Sequence, residues 1–535
     1  MALAACNTRA RRPRPGDGIS GPNFVDVLFI APKALYRGWP FSNDFTRRVF
    51  ATPSAAFPQL AGALADRRTG FLDGLFEPMS TERYFRRATA APIVALSVVA
   101  PTLALNTELN IRLLRQRNPA AKIILGGHHP TFFAAEWLEK GADFVVRGEG
   151  ETTFPRLVRA VLDGGDPGGI PGVSFRANGA VRHNPDAPFV ANLDDLPWPD
   201  WSIVNWDLYD LGLRPAGRSA VVETSRGCPH RCIFCCAAEF WRHTQRFKSV
   251  DRVVEEIARL AASGVRQLMI ADDNFGASLA RDTAIFEALI RCRLDLSIWS
   301  FLRADVAVQH PDFVDLAARA GLRFVCVGFE ALNDTTLDAY GKKLRGGMTV
   351  RDFSAAYRAL KRRGMFVYGT LVRHYTLDQE ETPLSWRAAR RISDITAQNR
   401  FIPMRGTLAA DQLAAAGYQL KDIFYHDRLL PAYERNGQRQ SSKFVLTEIL
   451  DLIHPANFAK LLFGSYVERR FFRNLYRGLL KDVLHFRPLS AKVLLAANDR
   501  RMSLDERQKR IVGLVFRAFN VDRPPADRST SSGIA

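Results

Sequence analysis

Three cysteines stand in the spacing CxxxCxxC: Cys228, Cys232 and Cys235, within the run TSRGCPHRCIFCC at 224–236. Three thiolates on one loop can wrap three corners of a cubane iron–sulfur cluster, leaving one iron without a protein ligand and open to a substrate-like cofactor. Gly227 and Pro229 shape the turn, and Arg226 and Arg231 are expected to place positive charge beside the anionic cluster. Zinc is the rival, but its structural sites take four ligands, typically as two spaced pairs, and no second CxxC follows. A redox CxxC at Cys232 and Cys235 would leave Cys228 without a role. Cys236 adjoins Cys235 and would point elsewhere, while Cys6, Cys292 and Cys326 read as a tail residue and core residues.

A loop of this kind needs a rigid frame, and recurring βα units supply one. Strands are expected at 219–223, 267–271, 296–301, 323–329 and 365–371, with a weaker one near Phe401; helices are expected at 250–262, 280–291, 311–320 and 350–362. About six units predict a partial barrel, whose active site would lie at the carboxyl ends of its strands. Asp272, Asp273 and Asn274 end the second strand, Arg303 follows the third and Glu330 ends the fourth. Helix capping is the other reading of the first three. After the fifth strand comes GTLVRHYT (369–376), where His374 and Tyr375 are either proton-transfer groups or exposed loop residues.

An earlier α/β unit precedes this one, with strands at 25–30, 93–99, 122–125 and 144–147 and helices at 56–65, 105–116 and 152–162. Its strands end in SVVAPT (97–102), GGHHPT (126–131) and RGEGE (147–151). Ligands of open parallel sheets bind beyond such ends, so Gly126, Gly127, Gly148 and Gly150 either admit a bulky planar or phosphate-bearing ligand or simply permit tight turns. His128 and His129 are adjacent and cannot easily face one ion, which favours a polar loop lining over a metal site. A proline-rich connector with a hairpin at Asn178-Gly179 separates the two units. Beyond about Leu408 the rhythm fades into helices at 444–453, 458–480 and 504–519. The second of these sets Phe463, Tyr466, Phe471 and Tyr476 among Arg469, Arg470, Arg473 and Arg477, which suits a membrane surface, an anionic substrate or packing over the barrel mouth.

The 535 residues carry 47% hydrophobic residues, which excludes a wholly disordered chain, and seven cysteines are too few for a secreted disulfide framework. Seventy-four Lys+Arg against 55 Asp+Glu give +19, densest in the amino-terminal tail and after about residue 435. No apolar run reaches the roughly 18–20 residues of a membrane span, and the first twenty residues lack a signal-peptide core. A cytoplasmic protein is expected.

With Phe234 directly before the last cysteine, the motif resembles the signature of the radical SAM superfamily. The three upstream loops, taken in order, resemble the cobalamin-binding domain of its class B methyltransferase-like and anaerobic magnesium-protoporphyrin ester cyclase-like members. The resemblance implies an α/β fold: an N-terminal Rossmann-like cobalamin-binding domain, a central partial (β/α)6 TIM-type barrel and a C-terminal helical region. Expected boundaries are a basic tail at 1–22, the cobalamin domain at 23–168, a linker at 169–212, the barrel at 213–410, mostly helical residues at 411–521 and a tail at 522–535. The implied cofactors are a 4Fe–4S cluster on Cys228, Cys232 and Cys235, S-adenosylmethionine near Phe234, Asp272, Asp273, Arg303 and Glu330, and cobalamin against Ser97, Thr102, Gly126, Gly127, His128, Gly148, Glu149 and Gly150. No Asp-x-His-x-x-Gly occurs, so no lower cobalt ligand is identified. The implied chemistry is methylation of an unactivated carbon or phosphorus through a 5'-deoxyadenosyl radical. Ring closure or oxidation on a tetrapyrrole-like substrate, and a non-enzymatic cobalamin or cluster sensor, are the alternatives. Implied partners are a small-molecule or lipid substrate, an electron donor such as flavodoxin or ferredoxin, no nucleic acid, and a peripheral membrane contact as one reading of the basic helix.

Overall fold

Short apolar runs buried on both faces alternate with amphipathic helices, and this pattern builds two parallel sheets. The computed structural model describes residues 25–35, 51–100, 103–373, 386–420, 433–435, 438–439, 455–484, 492, 495–496, 502, 504–519 and 521. The expected helix at 444–453 lies outside the described residues, as do Thr102, His374 and Tyr375.

The first sheet contains β1 (Val27–Ala31), β2 (Thr69–Asp73), β3 (Ile93–Ser97), β4 (Lys122–Gly126), β5 (Phe144–Val146), β6 (Val173–Ala177) and β7 (Ala180–His183). Its order is β2-β1-β3-β4-β5-β6-β7, with β1 to β5 parallel and the last two pairings antiparallel. Chain order reverses between β1 and β3, which opens a crevice at their carboxyl ends. The register pairs Ser97 with Gly126, so the glycine-bearing loops share one edge. β2 was not expected: Gly70 and Gly74 bracket too few β-branched residues to signal a strand. The hairpin β6–β7 turns at Asn178 and Gly179, both at positive φ, and joins the edge of this sheet from within the proline-rich connector.

β8 (Arg218–Val222) runs into β9 (Ser225–Gly227), which pairs antiparallel with β10 (Gln245–Phe247). The three motif cysteines lie between these two short strands. The parallel series continues with β11 (Val265–Ile270), β12 (Ser297–Leu302), β13 (Leu322–Glu330), β14 (Phe366–Arg373) and β15 (Ile395–Arg400), in the order β8-β11-β12-β13-β14-β15. These six strands form the expected partial barrel. Outward residues such as Val222, Ile270, Ile298 and Val325 pack on Ile257, Phe286, Phe313 and Leu360 of the outer helices.

Inward residues Trp299, Phe324 and Phe366 meet Phe471, Phe472 and Leu475 of the helix Tyr466–Leu484. Phe366 opens β14, so this helix fills the amino-terminal end of the barrel and not the mouth that the sequence suggested. Periodicity defines an apolar face but not which end of a barrel receives it. The final helix, Leu504–Ala518, returns to the first sheet, where Ile511, Val515 and Phe516 join the core containing Leu109 and Leu113.

Phe471→Ala should lower the unfolding free energy by about 3–5 kcal/mol. Phe463→Ala removes an exposed ring and should change it by less than about 0.5 kcal/mol; urea titration of both variants checks the contrast.

Candidate active site at the junction of the two sheets

The cysteine loop is held at its root by Asp272, which follows β11. Its carboxylate accepts hydrogen bonds from the Thr224 N–H (2.6 Å), the Thr224 hydroxyl (2.5 Å) and the Ser225 hydroxyl (2.7 Å), all buried. Asp272 is therefore neither a helix cap nor turned toward a ligand: its oxygens are consumed in tying the end of β11 to the start of the loop. Gly227 has φ 91°, and a Cβ there would run into the Thr244 carbonyl oxygen. Its N–H donates to the exposed Asp273 at 3.2 Å.

Further along, the Ile233 N–H donates to the Tyr340 carbonyl and the Cys235 N–H to that of Cys232, each at 3.0 Å. Phe234 packs edge-on against Tyr340, with ring centroids 5.5 Å apart. Arg303 pairs with Asp305 at 2.7 Å and donates to the Lys343 carbonyl. Glu330, at φ 66°, pairs with Lys342 at 3.0 Å. Arg303 and Glu330, two of the five expected S-adenosylmethionine contacts, thus sit in ion pairs at the strand ends.

Cys228, Cys232 and Cys235 are free and half-buried. Burial raises all three thiols, Cys232 to about 11, and the neighbouring thiols raise Cys228 and Cys232 further. Thiols gathered this way are costly to ionise alone and become ligands once a cationic iron offsets the charge, so the donor set fits a cluster. Among the described residues no three His, Cys, Asp or Glu side chains converge on a single ion; a cubane differs in spreading its ligands over separate irons. Cys236 packs against the core of the first sheet. Cys326 is buried in β13, as expected of a core residue, whereas Cys292 is not a core thiol: it is half-buried at a helix end and disulfide-bonded.

A cavity of about 530 Å³ separates the two sheets. Ser97, Gly126, Gly127, His128, Gly148, Glu149 and Gly150 line it from the first sheet, and Val221, Glu223, Met269 and Ala271 line it from the barrel. Gly127 and Gly148 hold positive φ of 98° and 74°, whereas Gly126 and Gly150 do not. A Cβ on Gly126 would meet only the Val146 carbonyl oxygen, at 3.8 Å, leaving room for a broad ligand to approach the backbone. The adjacent histidines diverge. His128 lies against Phe240 with centroids 4.1 Å apart, and burial holds its imidazole down at about 4. His129 enters the core, where its Nδ1 accepts from the Trp137 indole at 3.0 Å. Lys248 and Glu256, a buried pair 2.7 Å apart on the cavity wall, carried no signal in the sequence.

The sequence reading also misplaced Arg226. Its guanidinium faces away from the cysteines and binds Glu149 at 2.7 Å, Glu151 at 2.5 Å and Glu223 at 3.0 Å. Arg246, opposite Arg226 in the β9–β10 pair, also binds Glu149, at 2.9 Å. The Val190 N–H completes the Glu149 carboxylate at 2.6 Å. The side chains of Arg226 and Glu149 are only 6% and 2% exposed. One signal was available: RGEGE and TSRGC carry complementary charge.

Residues 47–158 match the B12 binding domain family model, and residues 222–382 match that of the radical SAM superfamily. The chain is a radical SAM protein with a B12-binding domain. An uncharacterised methyltransferase of Pyrococcus horikoshii is 28% identical over 340 residues, 62% of this chain and 72% of that protein. The anaerobic magnesium-protoporphyrin IX monomethyl ester cyclase of Synechocystis is 30% identical over 60% of this chain and 64% of its own length. Hopanoid C-3 methylase of Methylococcus capsulatus is 28% identical over 58% of this chain and 59% of its own length. The chain therefore spans about three fifths of the cyclase and of the methylase. The radical SAM methyltransferase TsrM of Kitasatospora setae shares the fold, with a TM-score of 0.61 at 18% identity, covering 85% of this chain and 99% of that one. These matches indicate an enzyme whose cofactors are a 4Fe–4S cluster, S-adenosylmethionine and cobalamin.

Arg226→Met strands Glu151 as a buried charge and leaves Glu149 to Arg246 alone, which should cost about 3–5 kcal/mol in denaturant titration and reduce cobalamin retention on gel filtration. Burial opposes ionisation of Glu151, but Arg226 outweighs it and lowers the carboxyl below its ordinary range. Because the folded value lies below the unfolded one, this contribution is complete above the ordinary carboxylate range and is lost as pH falls through the folded value. The stability gap between the native chain and Glu151→Gln should therefore be full at neutral pH and close on acidification.

Proposed function

We propose that this chain is a cobalamin-dependent radical SAM methyltransferase acting on an unactivated carbon, or on phosphorus, of a small-molecule, lipid or natural-product substrate. The observation that carries this reading is the single cavity lined jointly by the glycine-bearing loops and the inner barrel wall. A ligand on those loops faces the barrel interior directly. When bound, the cluster supplies the electron that splits S-adenosylmethionine, and cobalamin supplies the methyl group. The family matches support a cobalamin domain at 23–168 and a radical SAM barrel at 213–410, with the intervening hairpin packed on the former.

In this reading Cys228, Cys232 and Cys235 would hold the cluster, which would supply an open iron for S-adenosylmethionine. Phe234, Asp273, Arg303 and Glu330 orient that ligand, while Asp272 acts through the loop and touches nothing reactive. Ser97, Gly126, Gly127, His128 and Gly148 bind the corrin, with His128 neutral at physiological pH. Glu149 and Gly150 set the shape of the third loop. Apolar walls such as Met269 and Val221 exclude water that would quench a radical. An external one-electron donor of the flavodoxin or ferredoxin kind completes the system.

Anaerobic reconstitution with iron, sulfide and cobalamin, followed by dithionite and S-adenosylmethionine, should release 5'-deoxyadenosine. Cys232→Ala should abolish that release; persistence in this variant would refute the cluster assignment. Once a substrate is in hand, the product should gain one methyl group by mass. Loss of hydrogens or gain of oxygen without a methyl group would favour the ring-closing chemistry named for the cyclase relatives.

A further inference from the structure

The helices Pro455–Phe463 and Tyr466–Leu484 are joined by Gly464 and Ser465 alone, forming a tight hairpin. One side is anchored to the barrel through Phe471, Phe472 and Leu475, through Lys361 to Glu468 at 3.0 Å, and through Lys460 to the Asp394 carbonyl at 2.8 Å. Among the described residues, the tip itself makes no such contact. Leu462 is 65% exposed and Phe463 85% exposed, adjacent apolar side chains at the turn itself.

Beside this turn, Tyr466, Arg469, Arg470, Arg473, Asn474 and Arg477 line a cavity of about 220 Å³. Arg469 reaches back to the Gly464 carbonyl at 2.7 Å, which brings the basic cavity to the base of the apolar tip. Arg470 is paired with Asp210. Among the described residues, Arg469, Arg473 and Arg477 have no carboxylate partner. The local field is accordingly positive: burial would raise the Tyr466 phenol, but hydrogen bonds from Arg470 and Arg214 outweigh it and lower the phenol below its ordinary value. Arg214 also stacks over the Tyr466 ring, 4.0 Å from its centroid.

Exposed apolar side chains next to arginines without carboxylate partners are poorly suited to bulk water. They match an interface that offers phosphates at one depth and hydrocarbon just below it. We infer that this hairpin tip docks on an anionic phospholipid surface, with Leu462 and Phe463 entering the acyl boundary and Arg469, Arg473 and Arg477 holding headgroup phosphates. No helix among the described residues is long and apolar enough to cross a membrane, so the contact is peripheral. It is independent of the methyl-transfer reading, and it gives a role to part of the basic charge concentrated after residue 435.

The test is co-sedimentation of the full chain with phosphatidylcholine vesicles, with and without phosphatidylglycerol. Binding should require the anionic lipid and weaken with added salt. The double variant Arg473→Glu/Arg477→Glu should bind at least about tenfold more weakly, given what each basic residue contributes near an anionic surface. Phe463→Ser should reduce binding severalfold at unchanged charge. All three positions are exposed, so circular dichroism and cluster absorbance should match the native chain. Equal binding to neutral and anionic vesicles, or native-like binding by either variant, overturns the proposal. So does calorimetric saturation with inorganic phosphate in a protein that ignores vesicles, which would mark a site for a soluble anion.

Discussion

The contact on which the rest of the site depends is the buried cluster of Arg226 and Arg246 with Glu149, Glu151 and Glu223. Arg226 immediately precedes Gly227 and Cys228, while Glu149 and Glu151 belong to the third glycine-bearing loop of the first sheet. One guanidinium therefore links the loop that carries the thiols to a loop that lines the cavity. Such a network adds little net stability, because desolvating five charges offsets most of their attraction. Its contribution is specificity. A planar fork meeting two carboxylates leaves few relative orientations of the two sheets, and any slip exposes an unpaired charge to a dry interior.

With the sheets held in this way, their carboxyl edges enclose a common space. β8 and β11 are tied at their ends by Asp272, so the cysteine loop leaves the barrel in one defined direction. The cavity wall then passes from glycine backbone to the apolar inner face of the barrel without a break. Radical chemistry needs such a space, since the reacting groups must meet at short range with water kept out. The opposite end of the barrel is filled by Phe471, Phe472 and Leu475. The same helical hairpin that packs into the barrel carries the exposed Leu462–Phe463 tip, so the sealing element and the surface it presents belong to one hairpin.

Some of this was legible in the residues because it is local. The spacing of Cys228, Cys232 and Cys235 concerns a single loop, and alternating strands and helices follow from burial periodicity. The order of the glycine-bearing loops survives because each closes one βα unit. Strand β2 was missed for an equally local reason: glycines and charges hide a strand that tertiary pairing nonetheless forms.

Chain-distant choices were not legible. Arg226 and Glu149 lie 77 residues apart, and only the docking of two sheets decides that the guanidinium turns toward carboxylates and away from the cysteines. Asp272 looked like a ligand contact until the fold placed three donors around it. His128 and His129 are neighbours of one type, yet one lines the cavity and the other enters the core, because the first turn of a helix directs successive side chains to different sides. The sequence by itself determined which chemistry the chain can hold, since ligand type and spacing are properties of a short segment. The tertiary structure alone decided which charges meet, because pairing energy depends on burial and distance that no segment possesses before it packs.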